Sequence, residues 1–113
     1  MEEREFLTQA DAEIARIEAA LERLQDESAA DIDFEQKPGG IIEITCGDDS
    51  KIIVNRHAAA REIWVAARAG GFHFAPPTGG IGPWVAGRTG EALVDVLSRC
   101  LSAQLGEPIQ LTW

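Results

Sequence analysis

The side chains best suited to chemistry in this sequence are carboxylates, and they crowd into its first 35 residues. Twelve acidic and three basic side chains lie there, whereas the rest of the 113-residue chain holds seven of each. The whole net charge of −9 therefore arises in this one segment. Carboxylates bind metal ions that accept oxygen ligands, and they also attract basic protein surfaces. The segment is predicted to bind a cation or a basic partner; the alternative is that it only solubilises the protein.

An amphipathic helix is expected to position most of these acids. Apolar residues recur every three or four positions from Phe6 to Leu24, which predicts a helix of about five turns with one face in a core. Four acids fall together along one flank of that apolar stripe, and no base neutralises them at helical spacing. These acids are Asp11, Glu18, Glu22 and Asp26.

The next acids are expected to lie on a strand. The sequence Asp31-Ile32-Asp33-Phe34-Glu35 alternates charged with apolar residues, so its acids should project away from Ile32 and Phe34. If the helix and this strand pack side by side, their acids would border one another. We call the combined set the acidic ridge, which consists of Asp11, Glu18, Glu22, Asp26, Asp31 and Asp33.

The middle of the chain is typical of a meander of antiparallel strands joined by short turns. Further strands are predicted at residues 41–46, 51–56, 62–67, 72–74 and 84–85. The alanines in residues 62–67 also allow a helix there. In a strand, Trp64 would lie on the opposite face from Ile63 and Val65, exposed as a binding anchor.

The last third of the chain predicts a loop, a helix and a tail. Residues 75–83 are rich in proline and glycine and should form an irregular loop. Thr89 is the predicted N-cap of a helix that ends near residue 105, before Gly106. Residues 109–113 are expected to form a terminal strand or an extended tail.

Together these elements predict an α+β fold. It is a two-layer sandwich, in which an antiparallel sheet is covered on one face by the N- and C-terminal helices. Residues 1–113 are long enough for one domain with its own core. The other face of the sheet would be left free to carry exposed residues.

Composition and spacing also argue against several classes of protein. A net charge of −9 disfavours nucleic-acid binding, which depends on Lys and Arg. No apolar run has the length of a membrane span, and the acidic start is unlike a targeting segment, so a cytoplasmic location is expected. Cys46 and Cys100 should be buried, because they fit neither a disulfide framework nor a zinc motif. His57 and His73 have no partner at metal-ligand spacing, and His73 should face solvent or cap a strand end.

The order of these elements and several short motifs resemble the frataxin family, most closely its bacterial CyaY-type members. The resemblance spans nearly the whole chain. Two departures are visible: Ala59 and Glu62 stand where the family usually has proline and glutamine, and the loop at 75–83 is long and lacks acids. The matching motifs are Glu5-Phe6, Asp11, Asp31-Ile32-Asp33, Ser50 to Arg56, Ile63-Trp64, Gly70 to Phe74 and Thr89-Gly90-Glu91.

The resemblance implies an iron-binding protein of iron–sulfur cluster assembly. Such a protein docks on the cysteine desulfurase and its iron–sulfur scaffold protein, and it regulates cluster formation or donates iron. By resemblance, labile Fe²⁺ or Fe³⁺ would lie on the acidic ridge, while Asn55, Trp64, Glu18 and Glu22 would contact partners. A monomer is expected, and iron-dependent oligomers remain open.

Two alternatives to this function remain open. A ferroxidase or iron-storage protein would oxidise Fe²⁺ at a dinuclear site, for which helix bundles supply Glu-x-x-His pairs that this sequence lacks. An acidic protein-interaction module without a metal role would use the same carboxylates. No nucleophile with its base and no phosphate-binding loop is evident, so the protein is not expected to be an enzyme.

Overall fold

The computed structural model describes residues 1–113 and contains two α-helices and one six-stranded antiparallel sheet. The strands are hydrogen-bonded in the order in which they occur along the chain. This arrangement confirms the predicted α+β sandwich. The elements are α1 (Glu3–Glu27), β1 (Ile32–Lys37), β2 (Ile41–Cys46), β3 (Lys51–His57), β4 (Glu62–Ala67), β5 (Gly70–Ala75), β6 (Val85–Ala86) and α2 (Leu93–Leu105).

The core forms between the two helices and one face of the sheet. Buried residues alternate with more exposed ones along β2 and along the first four residues of β3 and β4, as strand geometry requires when one face is covered. Ile44, Ile52 and Val54 of these strands join the helical residues Phe6 and Leu97 in one buried cluster. The face of the sheet that points away from the helices is called the free face below.

Helix α1 buries the predicted apolar stripe. Phe6, Ile17 and Leu21 are fully buried, while Leu24 is only partly buried. The helix begins at Glu3 and ends at Glu27, so it is longer than the apolar stripe alone indicates. Truncating a buried phenylalanine such as Phe6 to alanine typically costs about 3–5 kcal/mol. The stripe therefore fixes which flank of α1 remains outside the core.

The predicted N-cap at Thr89 is wrong. Helix α2 begins at Leu93, and the preceding Ala92 is extended and makes no side-chain capping bond. Between β6 and α2 the backbone forms a turn and not the first turn of the helix, because the Ala86 N–H donates to the Glu91 carbonyl oxygen at 2.8 Å. This turn and the bond from the Leu93 N–H to the Trp84 carbonyl oxygen delay the helix.

The C-terminal residues are an extended tail and not a strand. Ile109 and Leu111 are buried, and their N–H groups donate to the hydroxyl oxygens of Ser102 and Ser98 on α2. The tail continues over α1, where the Arg23 guanidinium donates to the Thr112 carbonyl oxygen at 2.6 Å. Side chains of both helices thus replace the strand partner that the tail lacks.

Several further sequence predictions can be compared with the structure. Residues 62–67 form a strand and not a helix, while the loop at 75–83 contains one short 3₁₀ turn at Thr78–Gly80. Cys46 and Cys100 are buried and unpaired, and burial raises the pKa of both thiols. Neither helix has the length and apolar composition needed to cross a membrane.

Candidate functional site

Helix α1 lies alongside the edge strand β1, with its acidic flank turned toward that strand. Near the end of α1, the Gln25 side-chain amide donates to the Ile32 carbonyl oxygen at 3.1 Å. Closer to the N-terminus of α1, Asp11 and Glu18 line one side of a groove of about 510 Å³. Residues 36–40 of the β1–β2 hairpin line its other side. The helix and β1 therefore run antiparallel and adjacent.

Glu18 and Glu22 form an uncompensated pair within the acidic ridge. They lie one turn apart on α1, and neither takes part in a salt bridge. Partial burial raises the pKa of Glu18, and repulsion from Glu22 raises it further. Keeping Glu18 ionised beside Glu22 therefore costs free energy that a bound cation would offset.

Asp11 differs from these two acids because a base from the sheet neutralises it. The Arg56 guanidinium, at the end of β3, reaches across to the Asp11 carboxylate and forms a salt bridge. Gly40 makes room for this arginine, since a Cβ at that position would lie 2.8 Å from Arg56 Nε. Helical spacing alone does not reveal this ion pair, because Arg56 is 45 residues away from Asp11. Strand alternation could have indicated this contact. Arg56 pairs with the buried Ile63 across β3 and β4, so both side chains lie on the helix-covered face.

Asp31 and Asp33 extend the acidic surface beyond α1 but point in other directions. Asp33 pairs with Thr45 across β1 and β2, on the free face, and its carboxylate accepts from the Phe34 N–H at 3.0 Å. The Asp31 carboxylate lies against Gly47, where an added Cβ would come within 2.3 Å of it. Nowhere do three or more His, Cys, Asp or Glu side chains converge as a metal site would need.

The free face carries the second candidate surface, built around Trp64. As predicted, Trp64 lies on the opposite face from the buried Ile63 and Val65. Its indole is half-buried, however, because it is stacked between two imidazoles, that of His57 at 3.9 Å and that of His73 at 4.4 Å between ring centroids. We call these three rings the aromatic stack.

Two polar residues border the aromatic stack. Glu62 accepts a hydrogen bond from Trp64 Nε1 at 2.9 Å, and Asn55 lies directly opposite Trp64 on β3. His73 is exposed, as predicted, and it faces Trp64 across β4 and β5. Sequence reasoning did not connect the two histidines with Trp64, because the register that aligns three strands is not visible in any one of them.

Glu43 on β2 and Asp48 in the turn between β2 and β3 are paired, unlike Glu18 and Glu22 on α1. Glu43 lies between Lys37 at 3.1 Å and Lys51 at 3.2 Å, and hydrogen bonds from these lysines lower its pKa. Hydrogen bonds from Ser50, and then from Arg68, hold the pKa of Asp48 well below its usual range. These acids have local structural partners, so they are not free to bind a cation without losing them.

The comparisons with known proteins each match this chain to frataxin-like or CyaY proteins. The model of the frataxin-like domain matches residues 1–107. The iron–sulfur cluster assembly protein CyaY of Dechloromonas aromatica is 50% identical over 98% of this chain and 99% of its own. The structure of frataxin from Psychromonas ingrahamii covers 100% of both chains with a TM-score of 0.82 at 27% identity.

A more distant structure supports the fold alone. Trimeric frataxin from Saccharomyces cerevisiae, in a structure described as complexed with ferrous iron, is 23% identical with a TM-score of 0.72. The match covers 88% of this chain and 87% of the yeast chain. The sandwich is therefore shared across widely diverged sequences.

Proposed function

Because this chain belongs to the frataxin-like family, we propose that it is an iron-binding protein of iron–sulfur cluster assembly. It would act in the cytoplasm by docking on a cysteine desulfurase and its scaffold protein, as a regulator of cluster formation, a donor of iron, or both. Two surfaces support this proposal. The acidic ridge would bind iron and a basic partner surface, and the aromatic stack would bind a protein partner.

The observation that carries the iron proposal is the Glu18–Glu22 pair. Its carboxylates have no salt-bridge partner, and the raised pKa of Glu18 reflects the cost of ionising it where it lies. A cation between two such carboxylates would relieve both the repulsion and the desolvation. Since only one or two protein ligands would bind each ion, water would fill the rest of its coordination shell. Such an iron ion would exchange readily, as donation of iron to a partner requires.

The partner proposal uses electrostatics for approach and the aromatic stack for contact. The uncompensated charge of α1 would steer a basic protein surface and accelerate association. A flat indole whose orientation is already fixed by two imidazoles and by Glu62 loses little rotamer freedom on binding, which favours it as an anchor. The protein would act as a monomer in this complex.

A binding role is proposed in preference to an enzymatic one. A ferroxidase holds two irons with bridging carboxylates and usually histidine. Here both histidines flank Trp64 on the free face, whereas Glu18 and Glu22 lie on α1 beside the β1 edge. The carboxylates are therefore suited to holding iron transiently, and oxygen consumption above the buffer background at substoichiometric Fe²⁺ would contradict this assignment.

The iron proposal is tested by anaerobic titration of Fe²⁺, with Mn²⁺ as a paramagnetic surrogate, while backbone amide NMR signals are followed. We expect broadening to begin around Glu18 and Glu22 and to spread next to the remaining ridge residues. The double variant Glu18→Gln/Glu22→Gln should need several-fold more metal. The matched control Asp95→Asn/Glu107→Gln removes the same charge elsewhere and should behave as the unmodified protein.

Equal loss of metal binding in both double variants would show that only net charge matters, and would refute a site on α1. The partner proposal has a separate readout. Glu18→Lys/Glu22→Lys should weaken binding to a purified cysteine desulfurase strongly at low salt and less at high salt, because exposed charges are screened. Trp64→Ala should weaken docking on the desulfurase–scaffold complex at both salt concentrations.

A further inference from the structure

The two faces of the Trp64 indole are covered by imidazoles that are held with unequal firmness. The His57 ring lies 3.9 Å from the indole between centroids, and its Nδ1 accepts a hydrogen bond from the Ala60 N–H at 3.2 Å. The His73 ring lies on the other face at 4.4 Å, its side chain is 55% exposed, and it makes no hydrogen bond. Rotation of the His73 side chain would therefore uncover one face of the indole, whereas the other face stays covered.

A carboxylate without a basic partner stands beside the face that His73 covers. Glu62 Oε1 accepts from Trp64 Nε1 at 2.9 Å and lies 3.8 Å from His73 Nδ1, beyond hydrogen-bond distance. Its second oxygen, Oε2, accepts no hydrogen bond. No Lys or Arg pairs with Glu62, although Glu43 on the same face of the sheet is paired with two lysines. A cation over the indole would give Glu62 the partner that the chain itself does not supply.

An open strip of the sheet adjoins the Trp64–His73 pair. Ala66 and Gly71 are the next pair across β4 and β5, and strand alternation puts both on the free face. Both are exposed, and a Cβ added at Gly71 would have no atom within 4 Å. Glu62 lies on the opposite side of Trp64, because it precedes Trp64 by two residues on β4. A long side chain lying along this strip would bring its end group over the indole and toward Glu62.

An arginine guanidinium has the chemistry that this arrangement requires. It is planar, so it stacks on an indole as the His73 ring does, at 12° from parallel. It always carries a positive charge, which the face of an indole attracts, and its N–H donors can reach a carboxylate at the same time. Its aliphatic stem packs against a surface such as the strip at Ala66 and Gly71. A lysine ammonium has the charge but no plane to stack, and an aromatic ring brings no charge to Glu62.

We propose that the aromatic stack binds an arginine side chain of a partner protein, which takes the place of His73 on Trp64 and forms an ion pair with Glu62. His57 stays on the opposite face, where the Ala60 N–H holds it. His73 thus covers the indole only in the free protein. This inference deepens the partner role proposed above for the aromatic stack and rests on it, and the acidic ridge takes no part in it.

The test is titration of the full-length protein with acetylated arginine amide, while the Trp64 Nε1–H and His73 ring signals are followed by NMR. Acetylated citrulline amide, which has the same shape without the charge, and acetylated lysine amide are the matched ligands. We expect a saturable shift of the Trp64 signal with the arginine compound, several-fold weaker binding of the lysine compound and no shift with citrulline. The His73 ring signals should move toward those of an unstacked imidazole, because the indole no longer shields them.

Two variants should change the affinity for the arginine compound in opposite directions. Glu62→Gln should weaken binding several-fold, because it removes the ion pair while keeping an acceptor for Trp64 Nε1. His73→Ala should strengthen binding several-fold, since the indole face is then always open. The control Glu35→Gln removes the same charge from β1 on the free face and should leave the affinity unchanged. Circular dichroism checks that each variant keeps the fold.

The proposal is overturned if citrulline or lysine binds as tightly as arginine, if His73→Ala does not strengthen arginine binding, or if Glu35→Gln weakens it as much as Glu62→Gln. Docking on the desulfurase–scaffold complex separates this proposal from the partner role on which it rests. If the unmodified protein and Glu62→Gln dock equally well, the arginine proposal fails and the partner role stands. If the unmodified protein does not dock, the partner role fails, whereas the arginine titration still decides whether the aromatic stack accepts a guanidinium.

Discussion

Two acids of α1, Glu18 and Glu22, and two acids of the sheet and its turns, Glu43 and Asp48, are the same residue types in opposite situations. Glu18 and Glu22 have no basic partner, and burial with repulsion raises the pKa of Glu18. Glu43 and Asp48 each have one or more partners that donate hydrogen bonds, which lower their pKa values. Glu43 and Asp48 stabilise a strand and a turn of the fold, whereas ionisation of Glu18 beside Glu22 destabilises the folded state.

This difference shows that Glu18 and Glu22 do not contribute to stability through charge pairing. Replacing the unpaired acids by neutral residues would remove repulsion at no cost in hydrogen bonds. The comparison is not simply between helix and sheet, because α1 also contains paired acids. Glu13 is buried and bonded to Arg16 and Trp113, and Asp11 is bonded to Arg56. Replacing a paired acid should therefore lower the free energy of unfolding, whereas replacing an unpaired acid should leave it nearly unchanged or raise it.

The largest effect is expected at Glu13, the buried paired acid of α1. Glu13→Ala leaves the Trp113 indole N–H and the Arg16 guanidinium without their acceptor, so the free energy of unfolding should fall by about 2 kcal/mol. Urea denaturation followed by circular dichroism measures this change. Glu22→Ala, on the exposed flank of the same helix, is the control and should stay within about 0.5 kcal/mol of the unmodified protein. Similar losses at both positions would remove the distinction.

The next effect is the pH dependence that the paired acids create. The pKa values of Glu43, Asp48 and Glu91 are lowered from usual values of 4.5, 3.8 and 4.5. A lowered pKa in the folded state gives stability that is present above the usual value and is lost as pH falls through the folded value. The melting temperature should therefore hold near neutral pH and decline below about pH 4.5. Asp48→Asn should make that decline shallower in thermal melts from pH 6 to 3, and an unchanged slope would contradict its assigned role.

A smaller effect is expected for the salt bridge between Asp11 and Arg56. The Asp11 side chain is 58% exposed and that of Arg56 is 24% exposed, so solvent weakens the pair. Asp11→Asn should lower the free energy of unfolding by about 0.2–1 kcal/mol. Arg56→Gln should also release Asp11, and Mn²⁺ should then broaden the Asp11 amide signal at lower metal concentration. If the broadening is unchanged, Arg56 does not compete with metal at this acid.

The smallest effect, and the one of opposite sign, is expected at Glu18. At pH 7, Glu18→Gln should raise the free energy of unfolding by roughly 0.2–0.5 kcal/mol, because it removes the repulsion from Glu22. A raised folded pKa means that the native state is favoured below the usual value of 4.5, where the carboxyl is protonated, and is penalised above it. The gain should therefore disappear in acid. A loss of stability at pH 7 would place Glu18 among the paired acids.

Much of the fold could be predicted from the sequence, because it depends on local periodicity. The three- and four-residue spacing from Phe6 to Leu21 predicted both α1 and its buried face, and alternation predicted the strands around Ile44 and Val65. The start of α2 was not predictable in this way. Thr89 has the side chain of an N-cap, but a turn between Ala86 and Glu91 uses the backbone first.

The residues of the candidate surfaces could be predicted from the sequence, but the side chains that surround each of them could not. Unequal partition of charge along the chain indicated the acidic segment, yet the partner of Asp11 is 45 residues away on β3. Trp64 was placed on the correct face, yet its two imidazole neighbours come from β3 and β5. Glu13 looked like any other helical acid, and its bond to Trp113 spans 100 residues.

The sequence by itself determined which side chains share a face, because helical and strand periods follow from backbone geometry within a few residues. It also determined that the net charge lies at the N-terminal end of the chain. Only the tertiary structure decided which acids would be compensated, since strong charge pairing requires contact at a few ångströms between distant segments. Asp11 found such a partner in Arg56, and Glu18 and Glu22 found none. The acidic segment therefore contains both a compensated acid, Asp11, and an adjacent uncompensated pair, Glu18 and Glu22, on α1.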